Sequence, residues 1–253
     1  MVTVVTKAGI FLTAEWRSLV FLNYEIEPAA LRPYLPSGTE LDAWQGRTFV
    51  SVVGFRFLRT RLFGLALPCH QDFSEVNLRF YVRRRGPDGW RRGVVFIKEI
   101  VPRQAIALVA RLAYGERYVA LPMRHAIAAR SDPPRQAFDY AWHSGGRWHR
   151  LWATTRGASQ PIAPDSEAEF ITEHYWGYAA RRGGGCVEYQ VEHPRWQVWP
   201  AAEYGLDADV ASLYGPAFVE CLRGTPSSAF VADGSPVIVR RGARLPRRAA
   251  PAR

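Results

Sequence analysis

Lysine is the scarcest charged residue in this chain. The sequence has 33 basic residues, and all but two of them, Lys7 and Lys98, are arginines. An arginine guanidinium stays charged and cannot form an imine, whereas a lysine amine can. Any Schiff-base chemistry therefore has at most two candidate nucleophiles. Lys7 lies in a terminal segment that we expect to fray, which leaves Lys98.

Cysteines and long apolar runs are also scarce. The three cysteines, Cys69, Cys186 and Cys221, are odd in number and contain no Cys-x-x-Cys pair, so neither a disulfide framework nor a cysteine zinc site is indicated. No apolar run approaches the roughly 18 residues of a membrane-spanning helix, and the N-terminal segment is a poor signal peptide. We expect a cytoplasmic protein with reduced thiols and no membrane partner.

Common cofactor and metal motifs are missing as well. Gly183–Gly185 is not followed by the Lys-Ser/Thr pair of a phosphate-binding loop, and no Gly-x-Ser-x-Gly elbow occurs. No histidine spacing matches a metal site. The sequence therefore predicts neither a cofactor nor a metal.

The formal charge of +10 raises the question of nucleic acid binding. Six arginines and no acid fall in residues 240–253, and without them 27 basic residues face 23 acidic ones, a charge of +4. We therefore expect a basic, disordered tail at 240–253 and no specific nucleic acid partner. Contact of this tail with polyanions is the alternative to a merely solvated tail.

Residues 1–239 read as a single domain of mostly strands. One hairpin is predicted from 41–44 and 48–58, and a second from 78–84 and 93–100 around a Gly-Pro-Asp-Gly turn. The best helix is predicted at 102–114, and short helices at 28–34, 207–214 and 216–223. Many strands with few helices favour an α+β fold that is mainly antiparallel.

The strand at 75–82 alternates strictly between polar and apolar side chains. One face carries Glu75, Asn77, Arg79 and Tyr81, and the other is entirely apolar. If the polar face lines a cavity, Glu75 can act as a general acid or base and Arg79 can bind a substrate carboxylate. The alternatives are a solvent-facing row of charge pairs and a purely structural buried network.

Two further segments carry candidate chemistry. Alternation places Lys98 on the face of Val94, Phe96 and Ile100, where apolar neighbours would lower its amine pKa, although a structural role at the strand end is the alternative. In the run 173–178, His174 suits proton transfer near neutral pH and Tyr175 could contact a substrate, but a packed histidine explains the pattern equally well.

Several runs together resemble one family of proteins. The runs lie at 21–24, 35–42, 75–82, 92–96, 120–123 and 172–178. In order and spacing they are similar to the YqjF-like family of uncharacterised bacterial proteins. That resemblance implies an acetoacetate-decarboxylase-like fold, a mainly antiparallel β-barrel with a polar internal cavity and a few short peripheral helices. Fold analogy by itself does not establish function.

The resemblance also implies a departure from decarboxylase chemistry. The decarboxylases carry their imine-forming lysine after a Gly-aromatic-Pro run, and the counterpart here is residues 120–122, followed by Met123. A thioether cannot form an imine. Glu75 is similar in placement to a cavity glutamate of that family, and Arg111 to an arginine near the end of its helix. Arg111 and Met123 are therefore candidate substrate contacts.

The sequence leaves three functions open. The first is an enzyme that acts on an oxo acid or related carbonyl compound without the Schiff-base lysine at the expected position. The second is a non-catalytic ligand-binding protein or a structural protein, with homo-oligomerisation possible in either case. The third is a protein that contacts polyanions through its basic tail.

Overall fold

The computed structural model describes residues 8–66, 68–104, 117–131, 134–181 and 184–245. Most of the predicted helix at 102–114, including Arg111, lies outside these ranges, and so does Lys7. Sixteen strands are present in the described residues. They are β1 Ile10–Glu25, β2 Glu40–Leu41, β3 Phe49–Leu62, β4 Leu65–Ala66, β5 Phe73–Gly86, β6 Gly89–Val101, β7 Tyr118–Ala120, β8 Met123–Ser131, β9 Pro134–Ser144, β10 Arg147–Arg156, β11 Gln160–Pro161, β12 Trp176–Ala180, β13 Cys186–Glu192, β14 Gln197–Asp207, β15 Ser228–Arg240 and β16 Ala243–Leu245.

The helices of the described residues are few and short. They are α1 Pro28–Leu31, α2 Glu167–Thr172, α3 Val210–Tyr214 and α4 Val219–Arg223, with single 3-10 turns at Arg32–Tyr34 and Pro216–Phe218. Pro28 begins α1, as its fixed φ favours. The α3 helix is capped by Asp209, whose carboxylate accepts from the Ser212 amide, and not by Asp207, which ends β14. None of these helices is long and apolar enough to cross a membrane.

The strands form one connected, mostly antiparallel sheet, so the predicted strand-rich and mainly antiparallel fold is confirmed. The main path runs β16-β13-β12-β6-β5-β3-β1-β15-β14-β10-β9-β8, and β13 also pairs with β15. Parallel pairing occurs between β6 and β12 and between β6 and β7. Because β13 also pairs with β15, seven strands form a continuous cycle of ladders in which each strand pairs with the next. They are β13, β12, β6, β5, β3, β1 and β15.

The two predicted hairpins have different outcomes. The β5–β6 hairpin is confirmed, with Gly86 opposite Gly89, whose φ of 119° suits glycine. The first hairpin is wrong, because β2 pairs with β5 and β3 pairs with β1 and β5. Local alternation identifies strands but does not choose their neighbours in the sheet.

The chain end also differs from expectation. Residues 240–245 belong to the fold, since Arg240 ends β15 and β16 pairs with β13. The Arg240 guanidinium binds the Glu192 carboxylate through Nε at 2.6 Å and Nη2 at 3.2 Å. A half-buried acid on a neighbouring strand, Glu192, therefore binds the start of the predicted tail, and the local composition gives no sign of this contact. Residues 246–253 lie outside the described ranges.

Both faces of β5 are buried, which sets the position of the site. On the apolar face Val76, Leu78 and Phe80 are fully buried and pack in a core with side chains of β9 and β10. On the polar face Glu75 and Asn77 are each only 2% exposed. The polar face therefore does not look out to bulk solvent.

Candidate functional site

A cavity of about 400 Å³ lies against the polar face of β5. Glu75, Asn77 and Arg79 line it from β5, together with His174 from the segment between α2 and β12. Volumes of this size are typical of small-molecule sites. The wall also includes several aromatic side chains, so its lining is mixed and not simply polar. These aromatic residues are Phe11, Trp16, Phe55, Phe57, Phe73, Phe96, Tyr118, Trp176, Tyr189 and Trp196.

The Glu75 carboxyl is held in a defined orientation on the cavity wall. Its Oε1 accepts a hydrogen bond from Asn77 Nδ2 at 2.8 Å, and its Oε2 accepts one from Tyr118 Oη at 3.2 Å. Burial raises the pKa of Glu75 to about 7, against the opposing effects of Asn77, Tyr118 and Arg79. A carboxyl with a pKa near neutrality can both donate and accept a proton at physiological pH.

The Arg79 guanidinium lies on the same wall. Its Nη2 donates to the Ile171 carbonyl at 3.2 Å, and its central carbon lies 5.3 Å from the ring centre of Phe21. Within the described residues no ion pair joins it to a carboxylate, and its buried Nε has no hydrogen-bond partner. A half-buried guanidinium with unused donors has the geometry to donate hydrogen bonds to a carboxylate.

His174 contributes a buried imidazole to the cavity. Its Nε2 lies 3.7 Å from Asp42 Oδ2, and neither ring nitrogen has a hydrogen-bond partner among the described residues. Burial lowers the pKa of His174 to about 4, although Asp42 opposes the shift. Its ring centre is 4.7 Å from that of Tyr81. The imidazole is therefore neutral at physiological pH and can accept a proton or a hydrogen bond.

Asp42 was not singled out in the sequence. Its Oδ2 accepts from Arg92 Nε at 2.7 Å. Burial acts to raise the pKa of Asp42, but the neighbouring His174 and Arg92 outweigh burial and hold it below its usual value. Asp42 therefore stays ionised beside the imidazole. No signal in the sequence connects it to His174, because the two lie on distant segments.

Lys98 does not line the cavity, contrary to the expected alternation. The pairings Leu78 to Lys98 and Arg79 to Phe96 leave Ile97 as an extra residue, which is a β-bulge in β6. After the bulge the faces exchange, so Glu99 lines the cavity together with Phe96, while Lys98 falls on the other face. Burial lowers the pKa of Lys98, but its amine lies on the wrong side of the strand for cavity chemistry.

Three other candidate residues lie away from the cavity lining. Tyr81 is buried and donates to Ser51 Oγ at 2.5 Å, so its hydroxyl is held in a hydrogen-bond network behind the wall. Tyr175 donates to the Glu173 carboxylate and packs on His193. Met123 begins β8 and packs against the core on the apolar face of β5. In each case tertiary packing, which the local pattern does not contain, decides the direction of the side chain.

A glycine lets one wall of the cavity close tightly. A Cβ on Gly177 would lie 2.1 Å from Cζ of Tyr189, a cavity-lining ring on the paired strand. Any other residue would displace this ring. Gly177 therefore fixes the position of Tyr189.

The described residues contain no group of three or more His, Cys, Asp or Glu side chains that could hold a metal ion. The polar groups of the cavity include the two carboxyls of Glu75 and Glu99, an amide, a guanidinium and an imidazole, which suit the recognition of a small polar organic group. They place a cationic donor and titratable groups in the same cavity.

Comparison with known proteins gives a relative and a set of structural neighbours. The chain is 26% identical over 194 residues to "Uncharacterized protein YqjF" of Bacillus subtilis (strain 168), covering 74% of this chain and 75% of that protein. It superposes on the enduracididine biosynthesis enzyme MppR complexed with pyruvate with a TM-score of 0.67 at 14% identity, covering 98% of this chain and 94% of that one.

An acetoacetate decarboxylase from Legionella pneumophila is also similar, with a TM-score of 0.64 at 16% identity over 97% of this chain and 91% of that one. At such identities the likeness shows the fold, which is of the acetoacetate-decarboxylase type, and not the activity. The model of the DUF2071 family, described as "Uncharacterized conserved protein", matches residues 13–236. With this match over most of its length, the chain belongs to the DUF2071 family, in the YqjF-like group with an acetoacetate-decarboxylase-like fold.

Proposed function

We propose that this chain binds and transforms a small oxo acid or related carbonyl compound inside a cavity enclosed by its sheet as in a β-barrel. The observation that carries the proposal is the pairing of two groups on one wall, a buried Glu75 with a pKa of about 7 and an Arg79 that forms no ion pair within the described residues. Arg79 binds the substrate carboxylate through parallel hydrogen bonds. The pyruvate complex of the structural neighbour MppR is consistent with a ligand of this class.

In this proposal Glu75 moves a proton. As a carboxylate it removes a proton from the carbon next to the substrate carbonyl, and as the acid it returns a proton to the same carbon. Asn77 and Tyr118 hold its two oxygens. The step needs no imine, which agrees with the position of Lys98 on the far side of β6. Lysine-dependent decarboxylation is therefore disfavoured.

The test combines binding with proton exchange. Calorimetry should detect pyruvate binding to the native chain, and Arg79→Gln should weaken it at least 10-fold, since a charge-assisted bidentate contact is lost. Arg85→Gln is the matched control, because Arg85 lies on the same strand but is exposed. In heavy water, NMR should show deuterium entering the methyl group of pyruvate faster than without protein, and Glu75→Gln should abolish this gain.

A non-catalytic ligand binder is the second candidate, favoured by the absence of an amine on the described cavity wall. Oxo acids that bind through Arg79 but show no exchange would establish the binder and refute the enzyme. Failure of oxo acids to bind would refute both forms of the proposal.

Polyanion contact through the C-terminal arginines is the third candidate. Because residues 240–245 are part of the fold, the informative deletion is 246–253, which removes Arg247, Arg248 and Arg253. Unchanged retention on heparin would exclude these residues as the contact. A cytoplasmic location and a homo-oligomer remain predictions of the sequence.

A further inference from the structure

The cavity has two unlike ends. Arg79, Thr172 and His174 lie at one end, where Thr172 and His174 are buried and α2 covers Arg79 through the Ile171 carbonyl. At the other end lie aromatic rings and the exposed Pro68. An exposed residue therefore lines the cavity at the aromatic end, whereas the residues at the guanidinium end are buried or half-buried.

Strand geometry gives the length between these ends. Phe73 and Arg79 both line the cavity from β5 and are six positions apart, which at ~3.3 Å per residue places their Cα atoms about 20 Å apart. The pairings of Phe57 with Phe73 and of Phe55 with Glu75 fix the same order on β3. A ligand held at Arg79 that extends past Glu75 therefore reaches the aromatic end.

The aromatic end forms one contiguous apolar surface. The rings of Phe57 and Phe73 are stacked with centres 4.6 Å apart, and Trp16 meets Phe57 edge-on at 5.9 Å and Phe55 at 5.5 Å. Trp196 adds a further ring 6.4 Å from Trp16. The exposed edges and faces of these rings on the cavity side are a surface against which another ring can pack.

Pyruvate uses little of this cavity. A volume of about 400 Å³ falls in the range that accommodates drug-sized ligands. A short oxo acid at Arg79 would leave the whole aromatic end without a partner, whereas an apolar extension would remove it from water.

We propose that the cognate ligand is an elongated oxo acid with an aryl group, whose carboxylate binds Arg79 and whose ring lies against Phe57, Phe73 and Trp16. This inference rests on the proposed function for its carboxylate end and adds the apolar end that selects among oxo acids. The carbonyl lies between the two ends, beside Glu75.

Three compounds separate the two ends of the ligand. Phenylpyruvate carries both the carboxylate and the ring, pyruvate lacks the ring, and phenylacetone replaces the carboxylate with a methyl group. We expect calorimetry to show phenylpyruvate binding about 10- to 100-fold tighter than pyruvate, the gain that burial of a phenyl ring supplies. Phenylpyruvate should also bind at least 10-fold tighter than phenylacetone, because the ketone cannot pair with Arg79.

Variants locate the ring. Phe57→Ala should reduce the advantage of phenylpyruvate over pyruvate about 10-fold and leave pyruvate binding unchanged. Phe57→Leu retains an apolar side chain and serves if the alanine variant fails to fold, with a smaller reduction expected. Phe63→Ala is the control, since Phe63 is 55% exposed and does not line the cavity.

The outcomes separate this inference from the proposed function. Equal affinities for pyruvate and phenylpyruvate, both lost in Arg79→Gln, would overturn the aryl ligand and leave the oxo-acid site intact. Binding of phenylacetone as tightly as phenylpyruvate would overturn the carboxylate contact and with it both proposals. No binding of any of the three compounds would also overturn both.

Discussion

At the scale of the residue, Glu75 and Arg79 lie on one cavity wall without forming an ion pair. Paired directly, they would satisfy each other and offer little to a ligand. Instead Asn77 and Tyr118 hydrogen-bond the carboxyl, and the guanidinium donates to the Ile171 carbonyl. Each group is thereby kept in place, while burial keeps the carboxyl pKa near neutrality.

The raised pKa of Glu75 gives a pH dependence of stability. Below its unfolded value of 4.5 the carboxyl is protonated in both states, and between 4.5 and about 7 only the unfolded state loses the proton. Stability therefore falls as pH rises through this window. Glu75→Gln removes this effect. From pH 5 to pH 8, the free energy of unfolding of the variant should therefore rise by on the order of 2 kcal/mol relative to that of the native chain.

Urea unfolding at the two pH values measures this difference. Glu40→Gln is the control, because the Glu40 carboxylate is exposed and pairs with Arg83 at the surface. An equal effect of pH on Glu75→Gln and on the native chain would show that Glu75 does not titrate in this range.

The pKa shift of His174 makes stability depend on pH in the opposite direction. Its pKa lies at about 4 in the folded chain against 6.5 for the free side chain, so on acidification the unfolded state takes up the proton first. Stability from this group is present above pH 6.5 and is lost as pH falls towards 4. We expect His174→Gln to reduce the loss of unfolding free energy between pH 6.5 and pH 4.5 by on the order of 2 kcal/mol.

The comparison variant for His174 is His143→Gln, whose half-buried ring packs edge-on against Trp148. Chemical unfolding at pH 6.5 and pH 4.5 provides the measurement. A native acid sensitivity that persists in His174→Gln would assign that sensitivity to other groups.

At the scale of the element, one extra residue in β6 decides which charged group enters the cavity. Strict alternation from Val94 would place Lys98 inside, but the bulge at Ile97 places Glu99 there instead. Period-two alternation predicts faces only while a strand is regular. The same rule placed Glu75, Asn77 and Arg79 of β5 on the cavity side, where the pairing with β3 is continuous.

Lysine chemistry follows from this bulge. Reduction with borohydride in the presence of pyruvate or acetoacetate should give no covalent adduct at Lys98, because its amine lies outside the cavity wall. Lys98→Gln should bind oxo acids within about 2-fold of the native chain. Mass spectrometry after trapping provides the check, and an adduct mapped to Lys98 would refute this view of the strand.

At the scale of the whole molecule, the cycle of ladders depends on long-range pairing near both chain ends. β15 pairs with β1 along its length and with β13 at Val239, and β16 adds to β13. The pairing of β1 with β15 joins segments more than 200 positions apart, as in the pairing of Thr13 with Ile238. Residues up to Leu245 are thus part of the same sheet as β5, which carries the cavity residues Glu75 and Arg79.

Two truncations test the contribution of the chain end. A chain ending at Leu245 retains β16 and the contacts of Arg240, whereas one ending at Val239 loses both. We expect the free energy of unfolding of the shorter chain to be lower by about 1–3 kcal/mol, because ladder hydrogen bonds are lost. Thermal and urea unfolding compare the two, and equal stability would show that β16 contributes nothing to the fold.

The sequence by itself determined the strand-rich class, the β5–β6 hairpin, the two unlike faces of β5 and the family, because alternation, turn residues and motif order are local properties of the chain. Tertiary structure alone decided the partners of β2, the exclusion of Lys98 by a bulge and the approach of Asp42 to His174. These features depend on which distant segments pack together, and local periodicity carries no information about that packing.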